Sequence, residues 1–327
     1  MRRHGTRLGT ALIVLLAMTR AAAFDLQGHR GARGLAPENT LPAFARALTI
    51  GVTTLELDCG VTRDGVVVVS HNRALDPAIT RGPDGAWLSD SPLLFELDAA
   101  DLARFDVGRI RPGSDYARRF PSQQGMDGVR IPRLAEVFEL AKRAGNLSVR
   151  FNIETKIDPN RSGDTVGPEA FARGLIAVSR AHGVAARTTI QSFDWRTLKV
   201  VQAEAPEIMT AYLTMQVPGE DTVGTEGNGS PWTAGMRLRE HGSLPKMIHA
   251  AGGSIWSPYY GNLTPALVDE AHRLGLRVIP WTVNERADMD RLIEMGVDGI
   301  ISDFPDRLRD SASAHGLVLP QPTPVKP

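Results

Sequence analysis

The stretch TLELDCGVTRDGVVVVSH at residues 54–71 contains two β-rich runs, Thr54–Gly60 and Val66–His71. The connection between them is much shorter than the roughly a dozen residues that a parallel crossover needs. Within it, Asp64-Gly65 is a strong signal for a two-residue hairpin turn. The two runs are therefore predicted to be antiparallel neighbours.

Seven further β-rich runs lie along the chain, and helical patterns separate most of them. The runs are Leu26–Arg30, Ser148–Thr155, Thr188–Ser192, Thr210–Thr214, Gly253–Ser257, Arg277–Thr282 and Gly299–Ser302. Strands that alternate with helices indicate βα units and a parallel sheet. Without the return strand of the hairpin eight strands remain, which predicts an α/β fold, a (β/α)8 TIM barrel with a hairpin strand after the second strand. An open doubly wound sheet is the alternative, but no helix opens directly on the glycines after the first strand.

Two segments are longer than ordinary loops, residues 72–130 and residues 215–252. Connections of this length are uncommon inside a domain unless they are functional. Each follows a strand, so each is expected at the face where the active sites of barrels form. We interpret both as a cover over the site, with residues 72–130 forming a cap-like insertion.

The first 23 residues have the pattern of a signal peptide. Arginines near the start precede a short apolar run, and Ala21 and Ala23 give the small-residue spacing of a cleavage site. We predict cleavage after Ala23 and a periplasmic or secreted protein. One catalytic domain is expected over residues 24–310, followed by a Pro-rich tail over residues 311–327.

The composition indicates a globular protein and argues against several classes of partner. Hydrophobic residues make up 42% and charged residues 23%, as in globular domains. Lys and Arg (37 together) balance Asp and Glu (37 together), which argues against a nucleic-acid partner. The single cysteine, Cys59, cannot form an internal disulfide. No apolar run reaches the roughly 18 residues of a membrane span, so no stable membrane insertion is expected.

The register of the hairpin predicts a cluster of ionisable side chains. With a two-residue turn, Arg63 pairs with Val66, and the same register places Asp58 opposite His71. Strand side chains alternate, so Glu56 shares a face with Asp58. The hairpin is therefore expected to bring two carboxylates and an imidazole together.

Other strands end in further polar side chains. His29 and Arg30 end the first strand, and Glu154 and Lys156 form an i, i+2 pair on a later one. In a closed barrel the ends of these strands meet at one mouth. Trp281 lies near the end of another strand, where it fits either core packing or a ligand platform.

The chemistry of these groups points to phosphoryl transfer. Glu56, Asp58 and Glu154 would repel one another without opposite charge, and an oxygen-seeking divalent cation such as Mg²⁺ or Ca²⁺ relieves that. Zinc is disfavoured because no His/Cys cluster has zinc spacing. Two histidines suit general acid and base roles, and Arg30 and Lys156 can bind an anionic oxygen. A metal, two imidazoles and cations together suit a phosphate ester substrate.

A series of motifs in fixed order resembles one family. The motifs are His29-Arg30-Gly31, Pro37-Glu38-Asn39-Thr40, Glu56-Leu57-Asp58, His71, Asn152-Ile153-Glu154-Thr155-Lys156, Gln191-Ser192-Phe193, Trp281-Thr282-Val283-Asn284 and the segment from Gly296 to Pro305. Together they resemble the glycerophosphodiester phosphodiesterases over about residues 26 to 307. The resemblance implies a (β/α)8 barrel with an insertion after the hairpin. It also implies a Ca²⁺- or Mg²⁺-dependent hydrolysis of small-molecule glycerophosphodiesters to sn-glycerol 3-phosphate and an alcohol.

The resemblance also implies roles for individual residues. His29 and His71 become the acid/base pair, Glu56, Asp58 and Glu154 the metal ligands, and Arg30 and Lys156 the phosphate contacts. Glu38 is expected beside the site, and Trp281 is expected to give the glycerol an apolar wall.

Two other functions fit parts of the sequence. A related barrel phospholipase acting on intact lipids would need an exposed apolar rim, for which the candidates Trp87, Leu93, Leu94, Phe95 and Trp232 are scattered. A catalytically silent barrel that binds a phosphodiester is disfavoured because every expected ligand and acid/base position is filled.

Overall fold

The computed structural model describes residues 23–225, 227 and 229–327. Residues 1–22 of the expected signal segment lie outside the described residues, so export of the chain stays a prediction. Within the described part, nine strands form one sheet. They are β1 (Asp25–Gly28), β2 (Thr54–Val61), β3 (Val67–Val69), β4 (Arg150–Thr155), β5 (Thr188–Ser192), β6 (Met209–Thr214), β7 (Ile255–Pro258), β8 (Arg277–Val278) and β9 (Gly299–Ser302).

Eight of these strands are parallel and curl into a barrel. Their order is β8-β7-β6-β5-β4-β2-β1-β9, and β3 pairs outside this series with β2. Hydrogen bonds from Asp298 N to Val278 O (2.9 Å) and from Ile301 N to Pro280 O (3.0 Å) join the two ends of the series. The predicted (β/α)8 barrel is confirmed.

Helices cover the outside of the barrel. The described residues contain the α-helices α1 (Leu41–Ile50), α2 (Ala99–Leu102), α3 (Asp115–Arg119), α4 (Leu134–Arg143), α5 (Pro168–Ala181), α6 (Trp195–Glu204), α7 (Leu238–His241), α8 (Leu244–Ala250), α9 (Pro265–Arg273), α10 (Arg286–Glu294) and α11 (Pro305–Ala314). Helix α1 shows why they form. The Thr40 side chain caps its first turn, and Gly51, at φ +90°, ends it in a left-handed conformation. None of the described helices has both the length and the apolar character of a membrane span.

One barrel helix lies in a segment that we expected to be loop. Helix α8 occupies part of residues 215–252, and it packs Met247 and Ile248 against the core. Its start carries an ordinary signal, because the Ser243 side chain caps the helix and Pro245 lies in the first turn. Residues 215–237 remain a long excursion, in whose described part only a short 3-10 turn forms.

The hairpin is antiparallel as predicted, but the predicted register is wrong by one residue. Cys59 pairs with Val69 in the ladder. Ser70 rather than His71 therefore lies opposite Asp58, and the Ser70 N–H donates to the Asp58 carbonyl at 3.0 Å.

The error arises in the turn. Thr62 N donates to Val66 O, and Val66 N donates back to Thr62 Oγ1, both at 3.0 Å. The loop thus has three residues, 63–65, and Gly65 takes the left-handed conformation at φ +78°. A three-residue loop closed by a left-handed glycine is a common hairpin, and its extra residue shifts every pair that follows. His71 consequently lies beyond the end of the ladder.

The insertion and the tail both pack on the barrel. The insertion, residues 72–130, carries α2 and α3 and shares a small apolar cluster with β3 that includes Val68, Leu75 and Leu102. Helix α11 crosses the division expected at residue 310 and buries Ala312. Beyond it, Thr323 N donates to Leu48 O at 2.9 Å, so the tail lies against α1.

Candidate active site

A cavity of about 480 Å³ opens where the barrel strands end at their carboxyl termini. It is lined by eight of the nine side chains expected at the site, namely His29, Arg30, Glu38, Glu56, His71, Glu154, Lys156 and Trp281. The ninth, Asp58, is 1% exposed and is ion-paired with Arg30 and Lys156, so it lies just beneath the cavity wall. The structure thus brings all nine side chains together.

Three carboxylates form a tight cluster on two neighbouring strands. Asp58 pairs with Glu154 in the parallel ladder between β2 and β4, and alternation places Glu56 on the face of Asp58. One oxygen from each carboxylate lies within 4.8 Å of the other two, and no other group of this kind occurs among the described residues. The three residues therefore could hold a metal ion.

The donor set fits a hard divalent cation. All three donors are carboxylate oxygens, which Ca²⁺ and Mg²⁺ prefer. Asp58 Oδ1 is buried and lacks a hydrogen-bond partner among the residues that the structure describes. A buried carboxylate oxygen without a partner is costly, and a bound cation would satisfy it.

The protein also supplies positive charge to this cluster. Lys156 Nζ lies 2.8 Å from Glu154 Oε1 and 3.7 Å from Asp58 Oδ1. Arg30 Nε lies 3.2 Å from Asp58 Oδ2. The carboxylates are thus partly neutralised by the two side chains that we expect to contact phosphate.

Burial and neighbouring charges give the three carboxyl groups different pKa values. Burial raises the pKa of Glu56 well above its usual value, and the charge of Asp58 adds to the rise. Burial likewise raises the pKa of Glu154 to about 7, with Lys156 opposing and Asp58 adding to the rise. Burial would also raise the pKa of Asp58, but Arg30 and neighbouring cations hold it well below its usual range. Asp58 is therefore the member of the cluster whose charged form is most strongly favoured.

His29 is held by a carboxylate that sequence analysis did not assign to the site. Its Nδ1 lies 2.6 Å from Asp303 Oδ1, and its Nε2 lies 3.9 Å from Glu56 Oε2. Asp303 follows β9, the strand next to β1, so the signal for it was its position directly after a strand. Because a carboxylate accepts a hydrogen bond from Nδ1–H, the lone pair of the ring faces the cavity at Nε2.

Asp303 is itself held rigidly. Arg33 donates to it through two nitrogens, Nε at 2.7 Å and one terminal nitrogen at 2.8 Å, and Asn284 Nδ2 donates at 2.7 Å. Burial would raise the pKa of Asp303, but His29 and Arg33 lower it far below its usual range. Burial lowers the pKa of His29 to about 4, with Arg33 acting in the same direction and Asp303 opposing. The His29 ring is therefore neutral near pH 7 in the protein alone.

His71 reaches the cavity although it lies beyond the hairpin ladder. Its Nδ1 lies 2.7 Å from the side-chain oxygen of Asn72. Burial lowers the pKa of His71 well below its usual value, and Arg30 and Lys156 act in the same direction. Both imidazoles therefore border the cavity as neutral rings.

The loop after β1 is shaped by unusual backbone angles. Arg30 and Asn39 adopt positive φ, +50° and +54°, and Gly31 does so at +83°. A Cβ at Gly31 would come within 2.6 Å of the backbone of α1, so only glycine fits there. The Arg30 N–H donates to Glu56 Oε2 at 2.9 Å, and Asn39 Nδ2 donates to Asp58 Oδ2 at 2.8 Å. The loop after β1 therefore orients two carboxylates of the cluster, Glu56 through a backbone N–H and Asp58 through a side-chain amide.

An aromatic wall closes another side of the cavity. Phe193 and Trp281 both line it, with ring centroids 5.4 Å apart in an edge-to-face arrangement. Trp281 Nε1 donates to Ser257 O at 2.9 Å, which fixes the indole. Trp281 thus lies in the cavity wall and also packs against a small apolar cluster that includes Ile279 and Ile301, so its role as a ligand platform stays a prediction.

The fold and the site together define a class, the TIM-barrel phosphodiesterases. A model of the glycerophosphoryl diester phosphodiesterase family matches residues 29–307. The chain is 32% identical over 280 residues to the glycerophosphodiester phosphodiesterase of Caldanaerobacter subterraneus subsp. tengcongensis, covering 86% of this chain and 94% of that protein. The chain belongs to the glycerophosphodiester phosphodiesterase family and is a phosphoric diester hydrolase.

Solved structures agree with this assignment. A Silicibacter pomeroyi protein, provisionally described as a glycerophosphoryl diester phosphodiesterase, is 37% identical with a TM-score of 0.80, over 90% of this chain and 95% of that one. A phosphodiesterase from Oleispira antarctica, solved with its product sn-glycerol-3-phosphate, shares the fold. Its TM-score is 0.64 at 20% identity, over 88% of this chain and 96% of that one.

Proposed function

We propose that this chain hydrolyses glycerophosphodiesters to sn-glycerol 3-phosphate and an alcohol, with a divalent cation and two histidines. One observation carries the proposal: a buried triad of carboxylates shares a cavity with two imidazoles and two cationic side chains. The Oleispira antarctica phosphodiesterase binds sn-glycerol-3-phosphate, which supports the same product for this chain.

Ca²⁺ or Mg²⁺ would be held by Glu56, Asp58 and Glu154. When bound, the cation would neutralise charge on a phosphate oxygen. Arg30 and Lys156 would contact the remaining phosphate oxygens, and Arg30 suits this because its guanidinium presents several donors in a plane. The aromatic wall at Trp281 would pack against the glycerol carbons.

His29 and His71 would exchange protons with the substrate. One takes the proton of the nucleophile, and the other gives a proton to the leaving alcohol. Both rings are neutral in the protein alone, and an anionic phosphate beside them favours the protonated form. The substrate would thus help to charge the ring that acts as the acid, while Asp303 keeps Nε2 of His29 directed at the cavity.

An enzyme acting on intact lipids is less well supported. Of the rim candidates, Leu94 is buried, and the large apolar side chains most exposed in the described residues are Met126, Leu147 and Val318. None of these three side chains lines the cavity. The described surface therefore lacks a continuous apolar rim around the site.

A panel of glycerophosphodiesters tests the proposal. Purified protein is incubated with glycerophosphocholine, glycerophosphoethanolamine or glycerophosphoglycerol and with Ca²⁺ or Mg²⁺, and free sn-glycerol 3-phosphate is measured by a coupled assay. We expect release from at least one diester with one of the metals. No release from any combination, with sn-glycerol 3-phosphate still bound in calorimetry, would indicate a silent phosphodiester-binding barrel.

A further inference from the structure

The insertion does more than cover the cavity, because its residues 116–124 contact the loop that follows β1. The Tyr116 hydroxyl donates to Glu38 Oε2. Gln123 Nε2 donates to the Arg33 carbonyl at 2.7 Å. Gln124 N donates to the Leu35 carbonyl at 3.0 Å. Three separate hydrogen bonds thus tie the insertion to the segment that carries His29, Arg30 and Glu38.

The contact at Glu38 leads directly to the catalytic centre. Arg30 Nη1 donates to both oxygens of Glu38, at 2.9 and 3.0 Å, and Arg30 Nε lies 3.2 Å from Asp58 Oδ2. Arg30 and Glu38 are 7% and 8% exposed. A guanidinium shared between two carboxylates can shift toward either of them, so the position of Glu38 decides where Arg30 lies. A hydrogen bond that fixes Glu38 therefore fixes Arg30.

The Tyr116 ring is itself held in place. Its centroid lies 5.1 Å from that of Phe120, and the Arg33 guanidinium lies 4.7 Å from the Phe120 ring. Arg33 also approaches Glu38, at 3.9 Å, but its nearer bonds go to Asp303. The Tyr116 hydroxyl is therefore the neutral donor that completes the environment of Glu38 without competing for charge.

We propose that Tyr116 is a positioning residue, which holds Glu38 so that Arg30 meets the substrate phosphate. The inference rests on the proposed function, since it takes Arg30 as a phosphate contact. Tyr116 also lines the cavity, and the inference assigns its hydroxyl a part in substrate binding that acts through Glu38 and Arg30 rather than through direct contact with the substrate.

Tyr116→Phe tests the inference, because it removes one hydroxyl and keeps the ring. The matched control is Tyr212→Phe, which removes a hydroxyl that donates to Ala251 O at 3.0 Å. Tyr212 is buried between the barrel and its helices, away from the cavity. We expect kcat/KM of Tyr116→Phe to fall about tenfold, mainly through KM, with Tyr212→Phe changed by less than about twofold. A melting temperature for each variant shows whether stability accounts for the difference. Unchanged kinetics in Tyr116→Phe would overturn the inference.

The route through Glu38 is tested by a double-mutant cycle. If Tyr116 acts only through Glu38, Tyr116→Phe should change KM by less than about twofold in a Glu38→Gln background. Effects that multiply would show that Tyr116 acts on the substrate independently, and this would overturn the positioning role.

Calorimetric binding of sn-glycerol 3-phosphate gives a readout that does not need turnover. If the parent protein binds this compound but releases none from any diester, the proposed function fails. Weaker binding by Tyr116→Phe than by Tyr212→Phe would still support the positioning role, and equal binding would overturn it.

Discussion

The Nδ1 atom of His29 lies 2.6 Å from Oδ1 of Asp303, across the junction between the first and the last strand of the barrel. The pair exists only because the last strand of the chain lies beside the first, since the two residues are 274 positions apart in the chain. A carboxylate in this place selects the tautomer of the ring and stabilises its protonated form. Asp303 therefore connects the junction of β1 and β9 with the proton transfer that we propose for His29.

Asp303→Asn should lower kcat by roughly 10²–10⁴-fold, the usual range for an acid/base group that has lost its function. The amide keeps the size of the side chain but can present its NH₂ to the ring and so favour the wrong tautomer. Asp298→Asn is a matched control, because Asp298 Oδ2 lies 2.9 Å from His272 Nε2 in a second Asp–His pair away from the cavity. Steady-state kinetics of both variants, with circular dichroism to check folding, decide the matter. Equal rates in the two variants would remove Asp303 from the mechanism.

His71→Ala should lower turnover by about 10²–10⁴-fold with little change in stability, because a general acid or base contributes on this scale. His71 lies beyond the hairpin ladder, and its ring nitrogen bonds only its neighbour Asn72 within the described residues. His249→Ala is the control, since His249 is exposed on α8. The measurements are kcat and the melting temperature. Retained activity in His71→Ala would exclude the proton-transfer role.

The strands and their parallel order could be predicted because local patterns determine them. The runs at 188–192 and 299–302 match β5 and β9 residue for residue. The acidic cluster could be predicted for the same reason, since alternation along β2 places Glu56 and Asp58 on one face. Such features depend on the sequence over a few residues.

The features that sequence analysis missed depend on long-range contacts or on small backbone choices. The hairpin register changed because Gly65 closes a three-residue loop, and Asp-Gly alone fits either loop length. Asp303, Arg33 and Tyr116 meet the site through contacts that join distant parts of the chain. No periodicity encodes such contacts. The position of Asp303 directly after β9 marked it as a residue of the barrel mouth, but its pairing with His29 is visible only in the folded chain.

Chelation by EDTA should abolish hydrolysis, and Ca²⁺ or Mg²⁺ should restore it. The reason is that three clustered carboxylates could hold the cation, and Asp58 Oδ1 has no hydrogen-bond partner among the described residues. Asp58→Asn should weaken metal binding strongly, since it removes the carboxyl group that stays charged. Asp269→Asn, on the exposed face of α9, is the control. Metal titration of each variant by calorimetry measures the change. Activity that survives EDTA would reject a metal site.

The stabilisation of the protein by the cation should depend on pH, and the pKa of Glu154 determines whether it grows or shrinks as pH rises. Burial raises the pKa of this carboxyl to about 7, above its usual 4.5, so the folded chain binds more protons than the unfolded chain between these values. The contribution of Glu154 to the free energy of unfolding of the metal-free protein should therefore fall as pH rises through this window.

A divalent cation binds the ionised carboxyl and reverses that loss. Melting temperatures are measured with excess Ca²⁺ and with EDTA at about pH 5.5 and about pH 8. We expect the increase caused by Ca²⁺ to be small at the lower pH, where protons compete for Glu154, and several degrees larger at the higher pH. Glu154→Gln should flatten this dependence because it cannot titrate. An equal increase at both values of pH would show that Glu154 does not exchange a proton for the metal.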